Sequence, residues 1–239
     1  MVLWSGSLSE PGAPLPAQLP ILMYHYVDDE PPPAGPYADG LTVRTPDFRE
    51  EMAYLADNGY RAVLLEDVAA ALDGGASLPA GKLVALTFDD GGLDNYTVAY
   101  PILREHGFVA TFFVITGKVG GEGLMTWEQL KEMKAAGMSI QSHTRSHPDL
   151  TGLGAEALST QLAGSRTDIE EKIGGSVRVL CYPSGAYDES VMKAARTAGY
   201  TLAVTTNSGK KLDPTAALQL PRTRVPAFMS IGSFAKAVQ

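Results

Sequence analysis

The 239-residue chain has four histidines, and two of them stand four positions apart in His143-Thr144-Arg145-Ser146-His147. On a helical turn that spacing brings both imidazoles to one side, within reach of a single metal ion. The residue after His143 is threonine, so this is not the metalloprotease pattern, which needs glutamate there. A third ligand has to come from elsewhere, and Asp89 or Asp90 is available. Two adjacent carboxylates behind the apolar Leu86 and Phe88 are costly to bury as packing; helix capping by Asp90 or Asp94 is the plainer use. Consecutive side chains point in different directions. One carboxylate can therefore bind metal while the other faces a water molecule, dividing ligand from general base. His106, before Gly107, suits a helix end where an imidazole complements the dipole. Cys181, the only cysteine, reads as a small buried apolar side chain.

These residues must be positioned by something, and the chain offers an alternation of short apolar runs with amphipathic stretches. Strands are expected at 21–25, 61–65, 83–88, 109–115, 138–142, 177–182 and 200–205. Thr45-Pro46 supplies a cap and an early proline for a helix over 47–58, with Gly59 to end it. Thr126 with Gln129 forms a capping-box pattern. Helices are also expected over 154–173, ended by Gly174, and over 189–198, capped by Asp188. About seven strands separated by helices imply a parallel sheet, and the expected fold is α/β, a distorted (β/α) barrel of about seven parallel strands. An open doubly wound sheet is the alternative, without the glycine fingerprint of a dinucleotide fold. In either case His25, Asp89-Asp90, His143 and Pro183-Ser184-Gly185 follow strand ends, which converge on one face in parallel folds.

Hydrophobic residues make up 45% of the chain and charged residues 19%, with a net charge of -8. An acidic globular chain lacks the basic patch that nucleic acid requires, so none is expected as a partner. Residues 1–19, rich in proline and without lysine or arginine, read as a leader or linker that packs little, and the catalytic unit as 20–239. They lack the features of a secretory signal. The apolar runs are far shorter than the roughly 20 residues that span a bilayer, so no transmembrane segment is expected.

Thr87-Phe88-Asp89-Asp90-Gly91, Ala110-Thr111-Phe112-Phe113-Val114, the His143–His147 segment and Tyr182-Pro183-Ser184-Gly185, in this order, resemble the polysaccharide deacetylases of the NodB-homology, carbohydrate esterase 4 type. The resemblance covers roughly residues 20–225. It implies that Asp89 is the general base and that Asp90, His143 and His147 hold one divalent metal, zinc or else cobalt, nickel or iron. It also implies that Tyr182, Pro183, Ser184 and Gly185 wall an acetyl pocket, with the Ser184 N–H on the oxyanion. The substrate it implies is an N-acetylated polysaccharide or oligosaccharide met outside the membrane, and no protein partner is inferred.

Two departures from the family pattern matter. The family's acid histidine lies near the C-terminus, yet no histidine follows His147. Ile21-Leu22-Met23-Tyr24-His25 resembles instead the first strand of the permuted poly-N-acetylglucosamine deacetylases, so His25 inherits the acid role. Cys181 stands where the family often has an arginine that orients the base. Arg222 is the substitute candidate, with Arg224 and Arg178 as alternatives. Tyr187 and Asn207 follow strand ends within reach of a substrate. Two rival readings keep the same residues: an O-acetyl polysaccharide esterase, and a carbohydrate-binding pseudoenzyme.

Overall fold

The computed structural model describes residues 15–29 and 38–239. Its strands are β1 (Ile21–Tyr24), β2 (Tyr26–Val27), β3 (Thr42–Val43), β4 (Tyr60–Ala62), β5 (Lys82–Phe88), β6 (Thr111–Val114), β7 (Ser139–Ser142), β8 (Val179–Cys181), β9 (Leu202–Ser208) and β10 (Leu220–Arg224). The helices are α1 (Ala38–Leu41), α2 (Thr45–Asp57), α3 (Leu65–Leu72), α4 (Tyr100–Glu105), α5 (Trp127–Ala135), α6 (Ala155–Ile173), α7 (Glu189–Thr197) and α8 (Ile231–Val238). Strands β5 to β10 pair in parallel in chain order, β1 closes the ring between β10 and β5, and β2 and β3 form a separate parallel pair. The result is a closed barrel of seven parallel strands wrapped by helices.

The expected number of strands is right, but one member differs. Residues 61–65 were expected in the ring; β4 instead pairs only with the first half of β5, at Lys82–Val84, while β1 takes the second half at Ala85–Phe88. That exchange of partners along one strand distorts the barrel. The seventh ring strand is β10, whose polar sequence Leu220-Pro221-Arg222-Thr223-Arg224 gives no period-two signal. Leu65, expected to end a strand, opens α3.

Helix ends follow local chemistry. Thr126 accepts from the Gln129 N–H while the Gln129 side chain accepts from the Thr126 N–H, which is the expected capping box on α5. Asp188 accepts from the Val191 N–H at 2.8 Å and opens α7. Thr45 is not the cap of α2: Arg44 holds that position without a side-chain capping bond, and Pro46 sits in the first turn. The expected leader over 1–19 differs at its end, where Leu19 is buried and donates to the Lys210 carbonyl at 2.8 Å. Residues 1–14 lie outside the described residues.

Strand alternation sorts the side chains into two layers. Leu22, Tyr24, Phe88, Phe112 and Leu180 face the helices, and Phe88 stacks between Tyr24 at 5.2 Å and Phe112 at 4.8 Å. Ile21, Ala85, Phe113, Val179, Cys181 and Leu220 fill the interior. Continuing those interior registers by two or four residues along β1, β5 and β10 reaches His25, Asp89 and Arg222.

Candidate active site

At the end of β5 the Asp89 N–H donates to the Tyr24 carbonyl at 3.0 Å, carrying the β1–β5 ladder one residue past the strand. The backbone then reverses, with φ 73° at Asp90 and 82° at Gly91. The left-handed turn, strained for an aspartate, sends the two carboxylates to opposite sides. A side chain at Gly91 would crowd Val114, 3.3 Å from its β-carbon position.

Asp89 is buried inside the barrel. Arg222 clamps it with Nη1 on Oδ1 at 2.8 Å and Nη2 on Oδ2 at 2.7 Å. Arg222 is also buried, and its remaining donors reach the Thr205 carbonyl at 2.9 Å and Thr87 Oγ1 at 3.1 Å. Its Nη2 lies 3.3 Å from Cys181 Sγ. Of the three candidate arginines, the one on the unforeseen strand meets Asp89, while Arg224 lines the cleft and Arg178 is exposed near Ser176. Burial alone would raise the Asp89 carboxyl; the guanidinium overrides it and holds the acid well below the usual range.

Asp90 faces the imidazoles: Oδ1 is 3.4 Å from His143 Nε2 and 3.9 Å from His147 Nε2. The two rings meet edge-on at 4.7 Å between centroids. The expected helical turn is absent. A loop with Thr144 at φ 65° and His147 at φ 60° folds them together instead. Thr144 Oγ1 accepts from the His147 N–H at 3.0 Å, and Gln161 Oε1 on α6 accepts from the N–H groups of Arg145 at 3.1 Å and Ser146 at 3.0 Å. Arg145 is further held by Asp168. These α6 contacts had no sequence signal.

The donor set suits a divalent metal. Among the described residues, Asp90, His143 and His147 each offer a ligand atom within 4.8 Å of the others. Tetrahedral zinc with bonds of about 2.0–2.1 Å needs ligand atoms roughly 3.4 Å apart, close to the separations seen. His143 directs Nδ1 at the Cys181 carbonyl, 2.8 Å away, which leaves Nε2 free to ligate. Burial, with His143 nearby, holds His147 below the ordinary imidazole range, which favours the neutral form that a ligand needs. Burial would raise Asp90 too, but the hydrogen bond with His143 lowers it. The Tyr26 hydroxyl also feels Asp90, and burial with that carboxylate pushes it up to about 12. Tyr26 was missed from sequence, where nothing distinguishes it from a core tyrosine.

His25 stands across from this group, with Nε2 3.9 Å from Asp89 Oδ2. Burial lowers its proton affinity, against the pull of Asp89 and Asp90. Both histidines of the loop, both aspartates, His25, Tyr182 and Ser184 line one cleft of about 660 Å³, together with Arg224, an alternative candidate arginine, and Thr206, which was unforeseen. Tyr182 is fixed by its hydroxyl on the Leu218 carbonyl at 3.0 Å and by stacking on Tyr187 at 5.1 Å. Pro183, Ser184 and Gly185 form a tight turn, with Ser184 exposed at φ 54°. Gly185, at φ 73°, is required: a β-carbon would lie 2.8 Å from the Thr206 nitrogen. Asn207 and Tyr187 bond each other at 3.4 Å. His106 does close α4, and Cys181 is buried.

The chain is similar to known polysaccharide deacetylases. The polysaccharide deacetylase family model matches residues 77–203. YxkH of Bacillus subtilis (strain 168), whose name places it among polysaccharide deacetylases, is 35% identical over 224 residues, covering 94% of this chain and 77% of YxkH. The poly-β-1,6-N-acetyl-D-glucosamine N-deacetylase of Escherichia coli (strain K12) is 33% identical over 141 residues, or 52% of this chain and 20% of that protein. Among solved structures, the deacetylase PplD of Streptococcus pyogenes in complex with acetate superposes with a TM-score of 0.86 at 35% identity, covering 94% of this chain and 100% of PplD.

Proposed function

We propose that this chain, which belongs to the polysaccharide deacetylase family, hydrolyses the N-acetyl groups of an N-acetylglucosamine-containing polysaccharide and releases acetate. The observation that carries this reading is the division at the end of β5: Asp89 is locked to Arg222 beside the cleft, while Asp90 joins His143 and His147 as a ligand set.

A zinc ion held by Asp90, His143 and His147, or cobalt, nickel or iron in its place, would acidify water and polarise the acetyl carbonyl. Asp89 takes a proton as water adds to the carbonyl carbon. Arg222 keeps that carboxylate ionised and aimed, at some cost in basicity. The Ser184 N–H holds the oxyanion, and Tyr182, Pro183 and Gly185 wall the acetyl group. His25 then gives a proton to the nitrogen as the C–N bond breaks. Burial lowers the proton affinity of its imidazole, and Asp89, 3.9 Å away, can hand on the proton it has taken.

The name of the E. coli relative supports a β-1,6-linked N-acetylglucosamine polymer as substrate. Such polymers lie outside the membrane, and no helix among the described residues is long and apolar enough to cross one. Export is part of the proposal.

The test is acetate release from N-acetylglucosamine oligomers, after stripping with chelator and after restoring zinc, cobalt or nickel. Release that stops with chelator and returns with metal is expected. Release from acetylated xylan alone would favour the O-acetyl esterase, and binding without release under any metal would favour the pseudoenzyme.

A further inference from the structure

Phe228 is the one large apolar side chain left exposed among the described residues, at 75% of its surface. Its backbone has φ 61°, the left-handed region that costs a bulky residue and suits glycine. A site that loses both solvation and backbone energy to keep a phenyl ring outside is not explained by packing.

The ring is also supported. The Arg44 guanidinium lies over one face, 5.7 Å from the centroid. Arg44 is itself held by Asp47 through two bonds of 3.0 and 3.1 Å. With Arg44 on one side and most of the ring exposed, the other face is open to solvent.

Its place relative to the cleft is fixed by backbone bonds. The Val225 N–H continues the β1–β10 ladder onto the Met23 carbonyl at 3.1 Å, two residues before His25. One turn on, the Ala227 N–H donates to the carbonyl of Gly40 at 3.3 Å. Gly40, Leu41 and Arg224 all line the cleft that holds Asp89 and Asp90. Phe228 therefore follows directly on a residue bonded to the cleft wall.

Resting on the reading above that the cleft takes a polysaccharide, we propose that Phe228 is a stacking platform for a second pyranose ring of the same chain, adjacent to the ring being deacetylated. A pyranose carries axial C–H bonds that make one face apolar, and such a face meets an aromatic ring without leaving a polar group unpaired. Arg44 braces the ring so that little order is lost on binding. The platform selects for polymer length, because a single sugar in the acetyl pocket does not reach it.

The experiment compares acetate release from N-acetylglucosamine and from its oligomers of two to five units by wild type, Phe228→Ala, Phe228→Gly and Phe228→Trp, all metal-loaded. The ratio of KM for the pentamer to KM for the single sugar should rise roughly tenfold in the alanine and glycine variants, about the worth of one aromatic stack. It should return toward wild type with tryptophan. The glycine variant should match or exceed the wild-type Tm, since its backbone is freed of strain. A KM ratio that does not change, or a tryptophan variant behaving like alanine, overturns the platform. If wild type releases no acetate from any oligomer, the deacetylation reading fails separately. Calorimetric binding of the pentamer then decides the platform: weaker binding by Phe228→Ala supports it, and equal binding overturns it.

Discussion

Asp89 lies inside the barrel with both oxygens on Arg222, whereas Asp90, one residue later, swings over the rim toward two imidazoles. The same side chain serves two chemistries because a single left-handed residue separates a strand end from a loop. One side is buried, fully bonded and rigid. The other is only partly buried and open to a cleft. Rigidity suits a group that must be aimed; an incomplete donor set suits one that must hold a cation.

The largest effect should come from the open side. His143→Ala or His147→Ala removes one of three ligands, and both bound metal and acetate release should fall together, the latter by about a thousandfold or more. Metal analysis of the purified variants checks this, and a metal-free variant with normal turnover would break the comparison. Across the cleft, His25→Ala should keep its metal and lose roughly 10²- to 10⁴-fold in turnover. A normal rate would remove His25 from the acid role.

Stability should divide the other way. Arg222→Met leaves Asp89 buried without its cation and should cost about 3–5 kcal/mol in denaturant unfolding. Loss of a loop imidazole should cost much less. Equal losses would mean that the clamp is not the rigid half of the site.

Glu51 sharpens the contrast with Asp89. It is also buried, but among the described residues its only hydrogen-bond partner is the Tyr24 hydroxyl at 2.9 Å, and its second oxygen has none. Burial, unopposed by any cation, pushes it up to about 8. In the unfolded chain a glutamate loses its proton near about 4.3. Between those values folding takes up a proton, so Glu51 makes the protein less stable as pH rises. Glu51→Gln should therefore lose less Tm than wild type from pH about 5 to pH about 8. Parallel curves would contradict a neutral Glu51.

How much of this was legible in sequence follows from the range of the interactions. His25, Asp89, Asp90 and His143 follow apolar runs of strand length, and parallel strands bring their ends together whatever the detailed order. Arg222 was one of three candidates because β10 is polar and holds a proline; only closure of the ring places it against Asp89. The loop geometry of His143 and His147 was misread as helical, since left-handed backbone at Thr144 and His147 is supported by Gln161 and Asp168 on a distant helix. Spacing alone carries no trace of that support. Tyr26 and Thr206 were hidden for the same reason.

The division between neighbours is tested most directly by preparing Asp89→Asn and Asp90→Asn in parallel and measuring bound metal and acetate release in each. Asp89→Asn should retain its metal and lose turnover, and Asp90→Asn should lose both. Metal lost from both variants, or normal release by Asp89→Asn, would contradict the separation of base from ligand.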